Sequence, residues 1–70
     1  MTKAKKIPEM LYEARHKKAL TQVMVAKKAG ISSNTYARIE RGEQQPTVPT
    51  LQKLSKVLDV NLSKLMDAWS

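Results

Sequence analysis

An all-α fold of five short helices is what this sequence predicts, and three observations carry it. Apolar residues recur at helical spacing in five separate stretches, a period that lines one face of a helix rather than one face of a strand. No stretch alternates apolar and polar residues for long enough to make a strand. Small polar residues and glycines stand between the stretches, where helix starts and stops are needed.

Ile7, Leu11, Ala14 and Lys18 share a face and Pro8 suits a first helical turn, so the first helix is expected over 7–18, ending near Ala19. Thr21 caps a second helix from Gln22 to Ala29 with Val25, Ala26 and Ala29 inward, and Gly30 supplies the left-handed residue that stops it. Ser32 caps a third helix, from Ser33 to about Arg41, which turns Tyr36 and Ile39 inward and ends at Gly42. Glu43 to Pro46 is polar and closes with proline, as a loop does. Thr47 caps a fourth helix with the stripe Val48, Leu51, Leu54, Val57 and Leu58, and Pro49 is tolerated because it lies in the first turn. Asp59 and Val60 interrupt the run, and Asn61 caps a last helix carrying Leu62, Leu65, Met66 and Trp69.

Seventy residues make one domain, too few for two bodies that each bury a core. Residues 1–6 are expected to form a disordered basic tail and residues 7–70 the folded domain. Cysteine is absent, which removes disulfides, thiol nucleophiles and Cys-based zinc sites, and the one histidine, His16, cannot build a metal site unaided. No catalytic residue, cofactor or metal is therefore assigned, and the chain is not expected to be an enzyme. No apolar run suits an export signal or a membrane span. Thirteen Lys and Arg stand against six Asp and Glu, a net charge of +7. The bias lies in the first half: residues 1–30 hold eight basic and two acidic side chains, residues 31–70 five and four. Such a field draws a polyanion, nucleic acid or an anionic membrane face, before any contact is specific.

The informative feature is the pair of short helices joined by Gly30-Ile31-Ser32, which has helix-turn-helix spacing. Ala26 must be small because the next helix crosses close above it, Gly30 must reach positive φ, and Ile31, Tyr36 and Ile39 fasten the pair to the core. Ser33, Asn34, Ala37 and Arg38 then form the outward start of the second helix of the pair. Asn and Arg are the types that pair adenine and guanine edges bidentately in a major groove.

Several runs occur together in one order: Arg15, Leu20-Thr21-Gln22, Ala26-Lys27-Lys28 with Gly30-Ile31-Ser32, Ile39-Glu40-Arg41-Gly42, Pro46-Thr47, and Leu51-Gln52-Lys53-Leu54 through Leu58 to Leu62. In these residues, over about 7–67, the chain resembles the lambda repressor-like, Cro/cI-type (XRE) helix-turn-helix domains of phage repressors and small bacterial regulators. The resemblance implies a compact five-helix DNA-binding domain. It places base reading on Ser33, Asn34 and Arg38, phosphate contact on Gln22 with Thr21 beside it and on Arg41, and an internal ion pair on Arg15 and Glu40. It also shows departures. Ala19 and Asp59 stand where relatives carry glycine, so those ends either adopt another cap or hold a left-handed residue costing about 1 kcal/mol. Val23 and Met24 occupy positions that are usually polar, as solvent-facing residues or as a contact surface.

The implied protein is a transcriptional regulator that binds a pseudo-palindromic double-stranded DNA operator as a homodimer in the cytoplasm, at the nucleoid. Repression by promoter occupancy is the simplest mechanism, with an RNA polymerase or other protein contact left open. Switch proteins of phages, mobile elements or restriction-modification loci are similar in size. No sensor, protease-cleavage or small-molecule domain is expected to follow. Leu62 and Leu65 are expected in the core, and Met66 and Trp69 in a dimer interface, because little chain is left to cover them. Lys3, Lys5 and Lys6 read equally as a solubilising tail or as an arm along a groove. The alternative function is an antitoxin or other protein-interaction module on the same fold, supported by Val23 and Met24. Charge-driven, non-specific nucleic-acid binding is a third reading.

Overall fold

The computed structural model describes residues 6–69, which form five helices: α1 (Ile7–Lys17), α2 (Gln22–Ala29), α3 (Ser33–Glu40), α4 (Val48–Leu58) and α5 (Leu62–Ala68). Lys3 and Lys5 of the basic tail lie outside the described residues. Lys6, expected in that tail, is instead the N-cap of α1. Its carbonyl accepts the Met10 N–H at 3.0 Å and its own N–H donates to Glu9 Oε1 at 3.3 Å.

Each later helix starts on a side chain that accepts a backbone N–H left unpaired by the first turn. Thr21 accepts from Met24 at 3.1 Å, Ser32 from Thr35 at 3.0 Å, Thr47 from Thr50 at 3.4 Å and Asn61 from Ser63 at 2.8 Å. The first four helices also end alike. A left-handed residue follows each, Ala19 (φ 56°), Gly30 (73°), Gly42 (80°) and Asp59 (56°). The residue after it then donates back across the last turn: Leu20 to Arg15, Ile31 to Ala26, Glu43 to Arg38 and Val60 to Ser55, all within 3.1 Å. This is the Schellman closure, and the apolar side chains that complete it, Leu20, Ile31 and Val60, pack on the core. Ala19 and Asp59 thus hold the left-handed geometry without being glycine.

Leu11, Val25, Tyr36, Leu51, Leu54 and Leu65 are fully buried and draw one residue or more from every helix into a single core. On α4 the buried face is Leu51, Leu54, Ser55 and Leu58, while Val48 and Val57 sit at its edges, half-buried. Ser55 can occupy the middle of that face because its hydroxyl donates to the Gln52 carbonyl at 3.0 Å, which leaves no orphaned polar atom. Across the α2–α3 corner Ala26 is 1% exposed, in keeping with the close crossing expected there.

The end of α5 corrects one premise drawn from the sequence. Met66 and Trp69 are half-buried against the core rather than uncovered. The Trp69 indole turns back over the α3–α4 loop and its Nε1 donates to the Pro46 carbonyl at 2.8 Å. A segment near the chain end is thereby covered by a loop distant in sequence, which spacing along α5 does not reveal.

Replacing Ala19 by Gly is expected to raise the unfolding free energy by about 1 kcal/mol, because the left-handed cost of an L side chain disappears. Gly30→Ala is expected to lower it by a similar amount. There the added Cβ meets nothing within 4 Å, so the strain comes from φ alone. Trp69→Phe keeps the ring and removes the donor, for a loss of about 1 kcal/mol. Urea midpoints of the three variants check these values, and an Ala19→Gly protein no more stable than its parent contradicts the first.

Candidate nucleic-acid interface

In the α2–α3 unit both helix starts are capped and the corner is closed by the Ile31 N–H on the Ala26 carbonyl. Ser32 Oγ accepts the Thr35 N–H and also donates to Thr35 Oγ1 at 2.8 Å. Neither α2 nor α3 has an acid of its own in its first turn. Behind α3, Tyr36 and Ile39 are buried. In front, Ser33, Asn34 and Arg38 are exposed and make no side-chain hydrogen bond among the described residues. These three side chains share one face of a helix anchored from behind.

A polar junction fixes that helix. Arg15 of α1 donates from Nε to Glu40 Oε2 and from Nη2 to Glu40 Oε1, both at 2.8 Å, and from Nη1 to the Leu20 carbonyl at 2.9 Å. The two side chains are 12% and 4% exposed. Gln22, the first residue of α2, donates from Nε2 to the same Glu40 Oε1 at 3.0 Å. The Arg15–Glu40 pair therefore joins α1, the α1–α2 turn, the start of α2 and the end of α3. Burial alone pushes the Glu40 carboxyl up, but the Arg15 hydrogen bonds, the Tyr36 hydroxyl, the Gln22 amide and the Arg15 charge together hold it below the ordinary glutamate value. The Glu40 hydrogen bond raises Arg15 in turn, against a smaller opposing effect of burial. The Tyr36 hydroxyl, pushed up chiefly by burial and then by Glu40, lies close to this junction but makes no well-formed hydrogen bond.

The phosphate-contact positions implied by the resemblance fall around this face with their side chains already engaged. Thr21 caps α2, Gln22 turns its amide toward Glu40, and Arg41, the C-cap of α3, pairs with Glu43 at 2.9 Å. The Arg41–Glu43 pair is more than half exposed on both sides, where solvent screening leaves such a pair worth little. The bond from Gln22 to Glu40 is what sequence reasoning missed. It depends on where the α2 start meets the α3 end, a pairing between residues eighteen positions apart. On the outer side of α2, Val23 and Met24 are 61% and 42% exposed. Among the described residues no group of three or more His, Cys, Asp or Glu converges as a metal site, and no helix is long and apolar enough to cross a membrane.

Comparison with known proteins bears on this geometry. Residues 11–65 match the family model described as Helix-turn-helix. The chain is 34% identical over 65 residues to the cryptic phage CTXphi transcriptional repressor RstR of Vibrio cholerae serotype O1, covering 93% of this chain and 58% of that protein. It is 40% identical over 62 residues to YqaE, an uncharacterized HTH-type transcriptional regulator of Bacillus subtilis strain 168, covering 89% and 53%. The chain thus spans a little over half the length of these curated relatives. Among solved structures, the DNA-binding domain (1–76) of the P22 C2 repressor superposes with a TM-score of 0.85 at 26% identity, covering 93% of this chain and 86% of that one. The N-terminal DNA-binding domain of SinR from Bacillus subtilis does so with 0.80 at 34% identity, covering 87% and 90%.

Glu40→Ala is expected to cost about 3 to 5 kcal/mol, because it leaves the Arg15 guanidinium largely buried without its partner. A carboxyl depressed on folding stabilises the fold above its unfolded value, and that contribution is lost as pH falls through the folded value. The urea midpoint should therefore drop on acidification below pH 4.5, the ordinary glutamate value. Glu40→Gln should be less stable at neutral pH and show a shallower drop. Glu43, held down by its Arg41 hydrogen bond, titrates in the same window, and the comparison with Glu40→Gln cancels it. Equal acid slopes for the two proteins contradict the assignment.

Proposed function

The chain belongs to the helix-turn-helix family of transcriptional regulators, and on that premise we propose that it occupies a specific DNA operator as a homodimer, with α3 in the major groove. The observation that carries this reading is the exposed trio Ser33, Asn34 and Arg38, unengaged on a helix that Tyr36, Ile39 and the Arg15–Glu40 junction hold from behind. Asn34 and Arg38 lie one turn apart and read base edges, with Ser33 at the margin. Thr21, Gln22 and Arg41 hold the backbone, and Arg41 exchanges Glu43 for a phosphate. No chemistry is performed on the DNA. The protein acts in the cytoplasm, at the nucleoid, by occupying a promoter at a locus of the phage, mobile-element or restriction-modification type.

The homodimer reading is supported by the part of Leu62, Met66 and Trp69 that the core leaves open along α5. A two-fold pair would set the two α3 helices about 34 Å apart, one turn of B-DNA, and require a pseudo-palindromic site. A second reading, an antitoxin or other interaction module, draws on the exposure of Val23 and Met24.

Selection of duplexes from a random pool tests the proposal directly. It is expected to return an inverted repeat with half-sites one turn apart, and sedimentation equilibrium is expected to give a dimer on that duplex that Met66→Ser weakens. On the selected site Arg38→Ala should lose about 1 to 3 kcal/mol, confined to one base pair per half-site. Arg41→Ala should weaken selected and scrambled duplexes alike and reduce the salt slope by about 1. Equal losses on both duplexes from Arg38→Ala favour charge-driven binding. No DNA phenotype from either variant favours the interaction module.

A further inference from the structure

Three large apolar side chains stand exposed among the described residues, Tyr12, Val23 and Met24. Tyr12 has partners on its own helix: its ring stacks on His16 with centroids 4.2 Å apart, and Arg15 lies 5.6 Å from its centre. Val23 and Met24 have none. On α2 the residues Val25, Ala26 and Ala29 face the core, which leaves Val23, Met24, Lys27 and Lys28 as the outward side, all four exposed. At helical spacing these form two columns, Val23 beside Lys27 and Met24 beside Lys28, with apolar groups in the first turn and ammonium groups in the second. Aside from Gln22, no uncharged polar side chain interrupts the helix, and it carries no acid.

We propose that this outward face of α2 docks an acidic, amphipathic segment of another protein, and that docking there excludes DNA. Complementarity selects the occupant. A second copy related by a two-fold axis would bring the same face, with its lysines and no acid, against itself, so nothing on either side answers the ammonium groups. Two apolar side chains on an eight-residue helix are too few to seat it in a lipid surface. A DNA backbone answers the lysines but leaves the Val23 and Met24 side chains without an apolar counterpart. A segment with Leu- or Phe-type side chains flanked by Asp and Glu answers both halves, and the net charge of +7 steers it in. The exclusion of DNA follows from position and rests on the operator reading above. Val23 adjoins Gln22, and the Met24 N–H is the group that Thr21 caps, so a segment over the first turn of α2 covers the side chains assigned to the backbone.

The test is a display library of random 16-residue peptides selected against the whole chain and, in parallel, against the double variant V23S/M24S. Both substituted residues are exposed, so the variant is expected to melt with the parent. Peptides enriched on the parent should combine Asp or Glu with large apolar residues, bind V23S/M24S about tenfold or more weakly, shift the Val23 and Met24 methyl resonances, and compete with the selected duplex. Acidic peptides that bind both proteins equally, peptides without acid, or no enrichment at all overturn the docking surface. So does a duplex that shifts the same methyls and binds V23S/M24S more weakly, since the face is then a DNA contact. Peptides that bind through Val23 and Met24 while the chain binds no duplex uphold the surface and sink the operator reading instead.

Discussion

The arrangement of the helices around α3 depends on one carboxylate. Glu40 receives the guanidinium of Arg15 through two hydrogen bonds and the amide of Gln22 through a third, at a point where three helices and a turn converge. Hydrophobic contacts are non-directional and leave small helices room to rotate against one another. A buried, bidentate ion pair does not, because its geometry must be met on both sides or a charge is stranded. The pair therefore sets the rotation of α3 relative to α1, and with it the direction in which Asn34 and Arg38 project. It also places the first residue of α2 beside the end of α3, so the candidate backbone contacts and the candidate base contacts belong to one rigid body.

The helix stops serve the same end. With five helices in so short a chain, connections must be tight, and a left-handed residue followed by an apolar anchor turns the chain within two or three residues while satisfying the last carbonyls. Where the anchor is Leu20, Ile31 or Val60, the turn is also part of the core. Using alanine at position 19 sacrifices some stability, and aspartate at 59 less, since a short polar side chain tolerates the left-handed region better. The junction at Glu40 offsets such local strain by anchoring the α1–α2 turn through the bond from Arg15 to the Leu20 carbonyl.

The surface divides by chemistry around this frame. The α3 face is polar and unengaged, suited to base edges and water. The outer side of α2 joins apolar and cationic groups, suited to a protein with the opposite pattern. On the proposed readings Thr21 and Gln22 belong to the DNA-facing side and begin the same turn of α2 as Val23 and Met24, so the two ligands would compete for neighbouring ground.

The five helices, the caps Thr21, Ser32, Thr47 and Asn61 and the glycine stops at 30 and 42 were legible in the sequence because each is a local matter: period, a hydroxyl or amide before the first turn, a glycine after the last. The Lys6 cap was not, and Ala19 and Asp59 left two endings open. The outward trio was legible for the same reason, since Tyr36 and Ile39 define the inner side of α3 and leave Ser33, Asn34 and Arg38 opposite. The resemblance added the partners Arg15 and Glu40, which no spacing argument joins across twenty-five positions. What neither supplied was decided by packing. Gln22 meets Glu40, Ser55 takes the centre of the α4 face, and Trp69 folds back on the Pro46 carbonyl instead of standing open. Each depends on where two elements distant in sequence come to rest, and a one-dimensional pattern of apolar and polar residues specifies which side is buried but not what it is buried against.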